Sequence, residues 1–211
     1  MKVIIFGATG GTGKQLVKRS LAAGFETSAF VRSNPQRLAE FRSRINVFQG
    51  DVRDIDAVDQ AIQGQTAVVV ALGVIPGRTQ RILSKGTANI IGCMEKQGVK
   101  RLVVETGAGL IDDQARLPFL WRLVASLPPM RGMFDDKRKQ EALIKDSGLD
   151  WIIVRPANLT NGPSTSSYQT GERLRLRTSS TVSRADVADF MINQISASDW
   201  LKKAVMIGPK S

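Results

Sequence analysis

The sequence predicts an α/β fold, a doubly wound parallel sheet with helices on both faces. Three observations carry it. An apolar run, Val3 to Phe6, leads into Gly7, Gly10 and Gly13, and then into a helical pattern with Leu16, Val17 and Leu21 on one face. Short β-branched runs alternate with 3.6-periodic segments along the chain. Thr66 to Leu72 is almost unbroken in its apolarity, as a strand covered on both sides must be.

Each element follows from its residues. Val3–Phe6 has the length and branching of a buried strand. The helix after Gly13 stops at Gly24, and Thr27–Val31 and Ile45–Gln49 read as the second and third strands. Asp54 is the expected N-cap of a short helix that turns Val58, Ala61 and Ile62 inward. After the fourth strand, Thr66–Leu72, a long helix is expected over about Thr79 to Gln97, with Leu83, Thr87, Ile90 and Met94 in one stripe. Arg101–Glu105 is the fifth strand, Phe134–Asp146 a helix, and Trp151–Val154 the sixth strand, stopped by Arg155-Pro156. Ser183 and Asp186 have capping-box spacing before Val187, Phe190, Met191 and Ile195, and Ala204–Ile207 is a last short strand.

Two regions break the alternation. Residues 108–133 carry a strongly apolar stretch over 117–130, and residues 157–182 are polar and rich in Ser and Thr. Both follow the C-terminal ends of strands, where open α/β sheets bind ligands, so substrate contacts are expected from them. The apolar stretch reads equally as a substrate lid, as ordinary packing, or as a surface for a protein partner or a second copy.

Composition narrows the chemistry. At 211 residues and 42% hydrophobic, one domain spanning 1–211 is expected. No apolar run approaches the ~18–20 residues needed to cross a bilayer, so no membrane role is assigned. With a single cysteine, Cys93, set among Ile90, Ile91 and Met94 as a packing residue, a cytoplasmic location is expected. The chain has no histidine, which excludes Ser-His-Asp triads and Cys-His pairs and disfavours a transition-metal site. Thirty basic residues against 19 acidic ones give a net charge of +11, a field that attracts anions. The cations are scattered and not interleaved with aromatics, which disfavours a nucleic-acid module.

Strand, glycine turn and helix in immediate succession are the arrangement that binds a dinucleotide diphosphate, and they make the fold Rossmann-like. Gly7 permits the turn, Gly10 lets the backbone approach the phosphates, and Gly13 lets helix and strand pack closely. Thr9, Gly11 and Thr12 complete the loop and are assigned to the cofactor with it. The helix N-terminus offers free N–H groups and partial positive charge to the anion. The second strand ends in Val31-Arg32-Ser33, where a cofactor with a free ribose 2′-hydroxyl would meet an acid. Arg32 suits a 2′-phosphate, Ser33 can donate to it, and Arg37 can close the other side. NADP(H) is therefore the expected cofactor. Asp51 and Val52 after the third strand are placed at the adenine, and Ala71, Leu72 and Gly73 after the fourth at the ribose.

With these residues placed, the chain resembles the atypical short-chain dehydrogenase/reductases, and among them the NmrA-like and biliverdin-IXβ/flavin-reductase-like NAD(P)H-binding proteins. The resemblance spans nearly the full length. It rests on Gly7-Ala8-Thr9-Gly10-Gly11-Thr12-Gly13, Val31-Arg32, Gly50-Asp51-Val52-Arg53-Asp54, Gly98 to Val103, and Ser147 through Arg155-Pro156. It implies that Pro156 and Asn158 lie beside the nicotinamide and that Lys137 stands where relatives place a His or Lys. The departures are as informative. The superfamily's Tyr with a Lys four residues later is absent, because the sole tyrosine, Tyr168, is followed at that distance by Glu172. Where flavin-reductase-like relatives have a Ser after the Thr at the end of the fifth strand, this chain has Thr106-Gly107.

Two functional readings follow. In the first, the chain is an NADPH-dependent reductase that passes hydride to a flavin-, quinone- or tetrapyrrole-like acceptor, a small and in some cases anionic molecule. Thr106 and Lys137 are its candidate catalytic groups, and Thr106 is also assigned to the cofactor, as a hydrogen-bond partner of the carboxamide or of the substrate. Lys137 reads either as a group that orients an acidic substrate or donates a proton, or as an exposed helix lysine. Glu105 reads either as an acid of raised pKa or as the salt-bridge partner of Arg155. In the second, the chain binds NADP(H) without turnover and reports cofactor state to a protein partner as a sensor, regulator or assembly factor. An epimerase or dehydratase would need an acid–base couple, and none is evident.

Overall fold

The computed structural model describes residues 1–73, 81–108 and 128–210, with side chains from 131 onward in the last segment. The expected 117–127 part of the apolar stretch and the start of the long helix at Thr79 lie outside the described residues.

The strands are β1 (Lys2–Phe6), β2 (Glu26–Val31), β3 (Ile45–Gln49), β4 (Ala67–Val70), β5 (Arg101–Glu105), β6 (Asp150–Pro156), β7 (Asn158–Thr160), β8 (Tyr168–Gly171), β9 (Thr181–Ser183) and β10 (Lys203–Pro209). The helices are α1 (Gly11–Ala22), α2 (Ile55–Ile62), α3 (Ile82–Gln97), α4 (Pro128–Asp146) and α5 (Arg184–Asn193), with a 3₁₀ segment over Pro35–Phe41. Eight strands form one sheet in the order β3-β2-β1-β4-β5-β6-β10-β8. All neighbours are parallel except β8, which runs antiparallel to β10 at the edge. The chain winds outward from β1 in one direction and from β4 in the other. The reversal between them opens a crevice at the C-terminal ends of the strands.

Strand periodicity divides the core. Val3 and Ile5 of β1 point toward α1 and α5, where Leu16, Val17, Val187 and Met191 meet them. Ile4 and Phe6 point to the other face, against Val58, Ile62, Ile90, Met94 and Ile144 of α2, α3 and α4. This two-sided burial is why the central strands are continuously apolar. Asp54 caps α2 by accepting from the Asp56 and Ala57 amides, as its position predicted. Ser183 caps α5 by accepting from the Asp186 amide.

The sequence is corrected chiefly in two places. Helix α4 begins six residues before Phe134, at Pro128, in the first turn where proline is tolerated. The polar 157–182 segment contains three strands: β8 extends the main sheet, and β7 and β9 pair in parallel apart from it. Strands of three or four residues are too short for alternation to be read. Their order comes from pairing with strands distant in sequence, and Asp186 holds the loop between β7 and β8. Its carboxylate accepts from the Ser164 hydroxyl at 2.9 Å, the Thr165 amide at 2.8 Å and hydroxyl at 2.9 Å, and the Ser166 amide at 2.9 Å.

Candidate functional site

The glycine turn opens the crevice, and its glycines serve different ends. Gly7 has φ +80°, and a Cβ there would stand 2.3 Å from the Ala71 carbonyl oxygen. The turn therefore packs against the end of β4, with no room for a side chain. A Cβ on Gly13 would stand 2.1 Å from the Gly7 carbonyl oxygen. Among the described residues, a Cβ on Gly10 would meet the Gly7 oxygen, at 3.2 Å, and one on Gly73 would meet nothing within 4 Å. Gly7 and Gly13 are thus set by packing, while Gly10 and Gly73 border free volume. That volume lies at the α1 N-terminus, whose cap, Gly10, supplies no side-chain hydrogen bond and whose first turn has no acid. The N–H groups of a helix start that no side chain caps fit a diphosphate.

The β2 end presents two cations and a hydroxyl. Arg32, Ser33 and Arg37 are exposed there, beyond the last residue of β2. Glu26 lies at the opposite end and pairs with Lys2 at 3.7 Å. Asp51, expected at the adenine, is engaged within its own turn: Arg53 meets it through its amide and Nε at 2.9 Å and through Nη2 at 2.7 Å. This pairing draws the Asp51 carboxyl down to about 2, and the nearby Arg32 charge adds to the effect. Val52 is buried against α3, where a Cβ on Gly86 would collide with it at 2.5 Å. Its carbonyl accepts from Asn89 Nδ2 at 3.0 Å, which fixes the loop that carries Asp51.

At the end of β5 the structure resolves the open reading of Glu105. Arg155 is not its partner. The Arg155 guanidinium meets Glu141 of α4, with Nε at 3.0 Å from Oε1 and Nη2 on Oε2, and both side chains are buried. Glu105 instead accepts from Thr12 Oγ1 at 3.1 Å, so a residue assigned to the phosphates is tied to the sheet. Desolvation pushes the Glu105 carboxyl up to about 7, opposed by the Thr12 hydrogen bond and the charges of Lys137 and Arg184.

Two further candidate residues meet at the end of β5. Thr106, a candidate catalytic residue, is buried, and its hydroxyl donates to Glu141 Oε1 at 2.7 Å. It thereby joins the Glu141–Arg155 cluster. Lys137 is no exposed helix lysine. It is half-buried, its Nζ donates to the Thr106 carbonyl at 3.1 Å, and burial lowers its pKa against the opposing pull of Glu105 and Glu141. Asn158 is exposed, and its Nδ2 is committed to the Thr178 and Ser180 carbonyls at 2.6 and 3.1 Å. Pro156 is buried as the last residue of β6.

One residue at the crevice escaped the sequence: Arg184, the first residue of α5. Its guanidinium lies over the glycine turn, so that a Cβ on Gly11 would stand 2.7 Å from Nε. The Ser183–Asp186 cap was legible and placed Arg184 at a helix start. Nothing local showed that α5 begins beside α1. Tyr168 lies on the edge strand β8, its ring 6.2 Å from that of Phe190, and Glu172 pairs with Lys203. No helix among the described residues is long and apolar enough to cross a membrane.

Comparison with known proteins agrees with this geometry. Residues 7–198 match the family model described as NAD(P)H-binding. An uncharacterised chloroplastic protein of Arabidopsis thaliana is 31% identical over 172 residues; the match takes in 78% of this chain but 61% of that protein, so the chain spans under two thirds of its length. A putative NAD-dependent epimerase/dehydratase from Bacillus halodurans superposes with a TM-score of 0.83 at 25% identity, covering 100% of this chain and 95% of the other. ChuY, an anaerobillin reductase from Escherichia coli O157:H7, superposes with a TM-score of 0.82 at 22% identity, covering 98% and 96%. From glycine turn to last helix, the chain belongs to the NAD(P)H-binding family.

Proposed function

We propose that the protein is an NADPH-dependent oxidoreductase whose acceptor is a flavin-, quinone- or tetrapyrrole-like molecule. The observation that carries this is the pairing of two features along the strand ends. Exposed Arg32 and Ser33 stand where a 2′-phosphate would lie, and a half-buried Lys137 amine is held on the Thr106 carbonyl. Arg32 supplies charge and Ser33 a hydroxyl to the extra phosphate, while the α1 amides take the diphosphate. Bound dihydronicotinamide supplies a hydride at C4. Conjugated acceptors of this class take up that hydride and then need one proton, from water or from a placed acid. Lys137, with its lowered pKa, is the described side chain suited to orient an anionic acceptor or hand over that proton. The protein's other contribution is proximity in a pocket that excludes water. The anaerobillin reductase of the same fold supports a tetrapyrrole-like acceptor.

A second reading rests on the commitments of Thr12 to Glu105 and Thr106 to Glu141, and on Tyr168 lying at the sheet edge. With those hydroxyls engaged, the chain would hold NADP(H) without turning it over and signal to a protein partner. One experiment decides. Purified protein is mixed with NADPH and a panel of flavins, quinones and linear tetrapyrroles, and nicotinamide absorbance is followed. Turnover of any acceptor supports the reductase. Tight NADPH binding with no turnover supports the sensor.

A further inference from the structure

We infer that Arg184 is a cofactor-binding residue that grips the diphosphate from the α5 side of the crevice, opposite the backbone amides of the glycine turn. The inference rests on the dinucleotide reading above and adds a residue to it.

Arg184 is aimed across a helix boundary. It follows the N-cap Ser183, and its side chain reaches back over the exposed first residue of α1. An added Cβ at Gly11 would lie 2.7 Å from its Nε and 2.8 Å from its Cδ. Its Nη1 is anchored by Asn161 Oδ1 at 2.8 Å and more weakly by the Leu159 carbonyl at 3.5 Å. Among the described residues its other N–H groups meet no acceptor. One nitrogen is tethered, and the rest of the fork is held beside the turn.

The electrostatics of this placement are unfavourable without an anion. The first turn of a helix carries a partial positive charge, and cations belong at the other end. The first turn of α1 holds no acid and its cap has no side-chain acceptor, yet a guanidinium is parked above it. Glu105 lies below that turn on Thr12, close enough for the Arg184 charge to act on it. Among the described residues Glu105, a carboxyl of raised pKa, is the acid beside the helix terminus and Arg184, while Glu141 as well as Glu105 acts on Lys137. A diphosphate between the Gly11 amide and Arg184 would balance that terminus and the arginine, and it would give the guanidinium a planar, charge-assisted contact. Arg32 sits one strand beyond β1 and would read a different phosphate. The two arginines therefore divide the work, one setting affinity for any dinucleotide and the other choosing between the phosphorylated and unphosphorylated forms.

The test measures dissociation constants for NADPH, NADH and adenosine 2′-monophosphate, which lacks the diphosphate, by fluorescence and calorimetry. Arg184→Gln should weaken NADPH and NADH by equal factors of about tenfold or more, the loss of a charge-assisted hydrogen bond. Adenosine 2′-monophosphate should bind as before, and Arg184→Lys should recover part of the loss. Gly11→Ala, which displaces the guanidinium and keeps its charge, should act in the same direction and serves if Arg184→Gln does not fold. Dinucleotide affinities within twofold of wild type in these variants would overturn the proposal. So would a loss shared by adenosine 2′-monophosphate, or one confined to NADPH. If the wild-type chain bound neither dinucleotide, the dinucleotide reading itself would fall, and Arg184 with it.

Discussion

Thr12 Oγ1 donates to Glu105 Oε1 at 3.1 Å, and this one contact joins the first turn of α1 to the end of β5. It places a carboxyl of raised pKa directly under the N-terminal end of a helix. The proton on that carboxyl and the partial positive charge of the helix start are therefore neighbours.

Glu105 makes stability depend on pH in a defined direction. Its ordinary value of 4.5 is pushed up to about 7 in the folded chain, chiefly by desolvation. The folded state thus holds this proton more tightly than the unfolded one. The contribution is fully present below pH 4.5, is lost as pH rises to about 7, and then levels off. Glu105→Gln should therefore exceed wild type in stability at pH 8 by on the order of 2 kcal/mol, and the gap should close toward pH 4.5. Urea unfolding across that range is the measurement. A gap that does not vary with pH would exclude the effect.

The glycines should separate into two classes. Gly13→Ala drives a Cβ to 2.1 Å from the Gly7 oxygen and should cost the fold several kcal/mol, roughly 3 or more. Gly10→Ala meets the same oxygen at 3.2 Å, with backbone angles that suit alanine. It should keep its melting temperature within about 3 °C, the scale of a sub-kcal/mol change, while NADPH affinity falls by about tenfold or more. Equal thermal losses in both variants would contradict this division.

Arg32→Asp should reverse cofactor preference. A carboxylate there repels a 2′-phosphate and accepts from a ribose 2′-hydroxyl, so NADPH affinity should drop by roughly a hundredfold while NADH holds or gains. The ratio of the two dissociation constants is the readout, and an unchanged ratio removes Arg32 from the assignment.

The Glu141–Arg155 pair should behave as a structural unit. Both side chains are buried, and Glu141 also accepts from Thr106. Glu141→Ala should cost about 3–5 kcal/mol, because a buried guanidinium loses its carboxylate. Arg155→Met, which removes that guanidinium, should cost less on a Glu141→Met background than alone. Additive losses in thermal unfolding would show that the two do not act together.

Much of the architecture was legible because it is written in local rules. Asp54 and Ser183 announced their helices through capping chemistry. The glycine motif stated which backbone had to turn, and Glu26 at the start of β2 with Arg32 just past its end put the cation, and not that acid, at the crevice. What escaped depends on contacts distant in sequence. Thr12 and Glu105 are 93 residues apart, and Arg155 meets Glu141 from a different element. Polar side chains choose among several partners at similar cost, so their residue types foretold involvement and not pairing. The same holds for β7, β8 and β9, which pair with strands distant in sequence or with each other, while Asp186 of α5 holds the 164–166 loop between β7 and β8.

Asp136, next to Lys137 on α4, is buried and accepts from the Leu83 and Ser84 amides at 3.0 and 3.1 Å, closing the start of α3. Adjacent residues of one helix thus face different tasks, one bolting α4 to its neighbour and the other reaching the crevice. The lysine cannot swing away with its helix unless that bolt shears. The hold that Asp136 has on α3 thus also fixes the point from which the lysine stem reaches the Thr106 carbonyl.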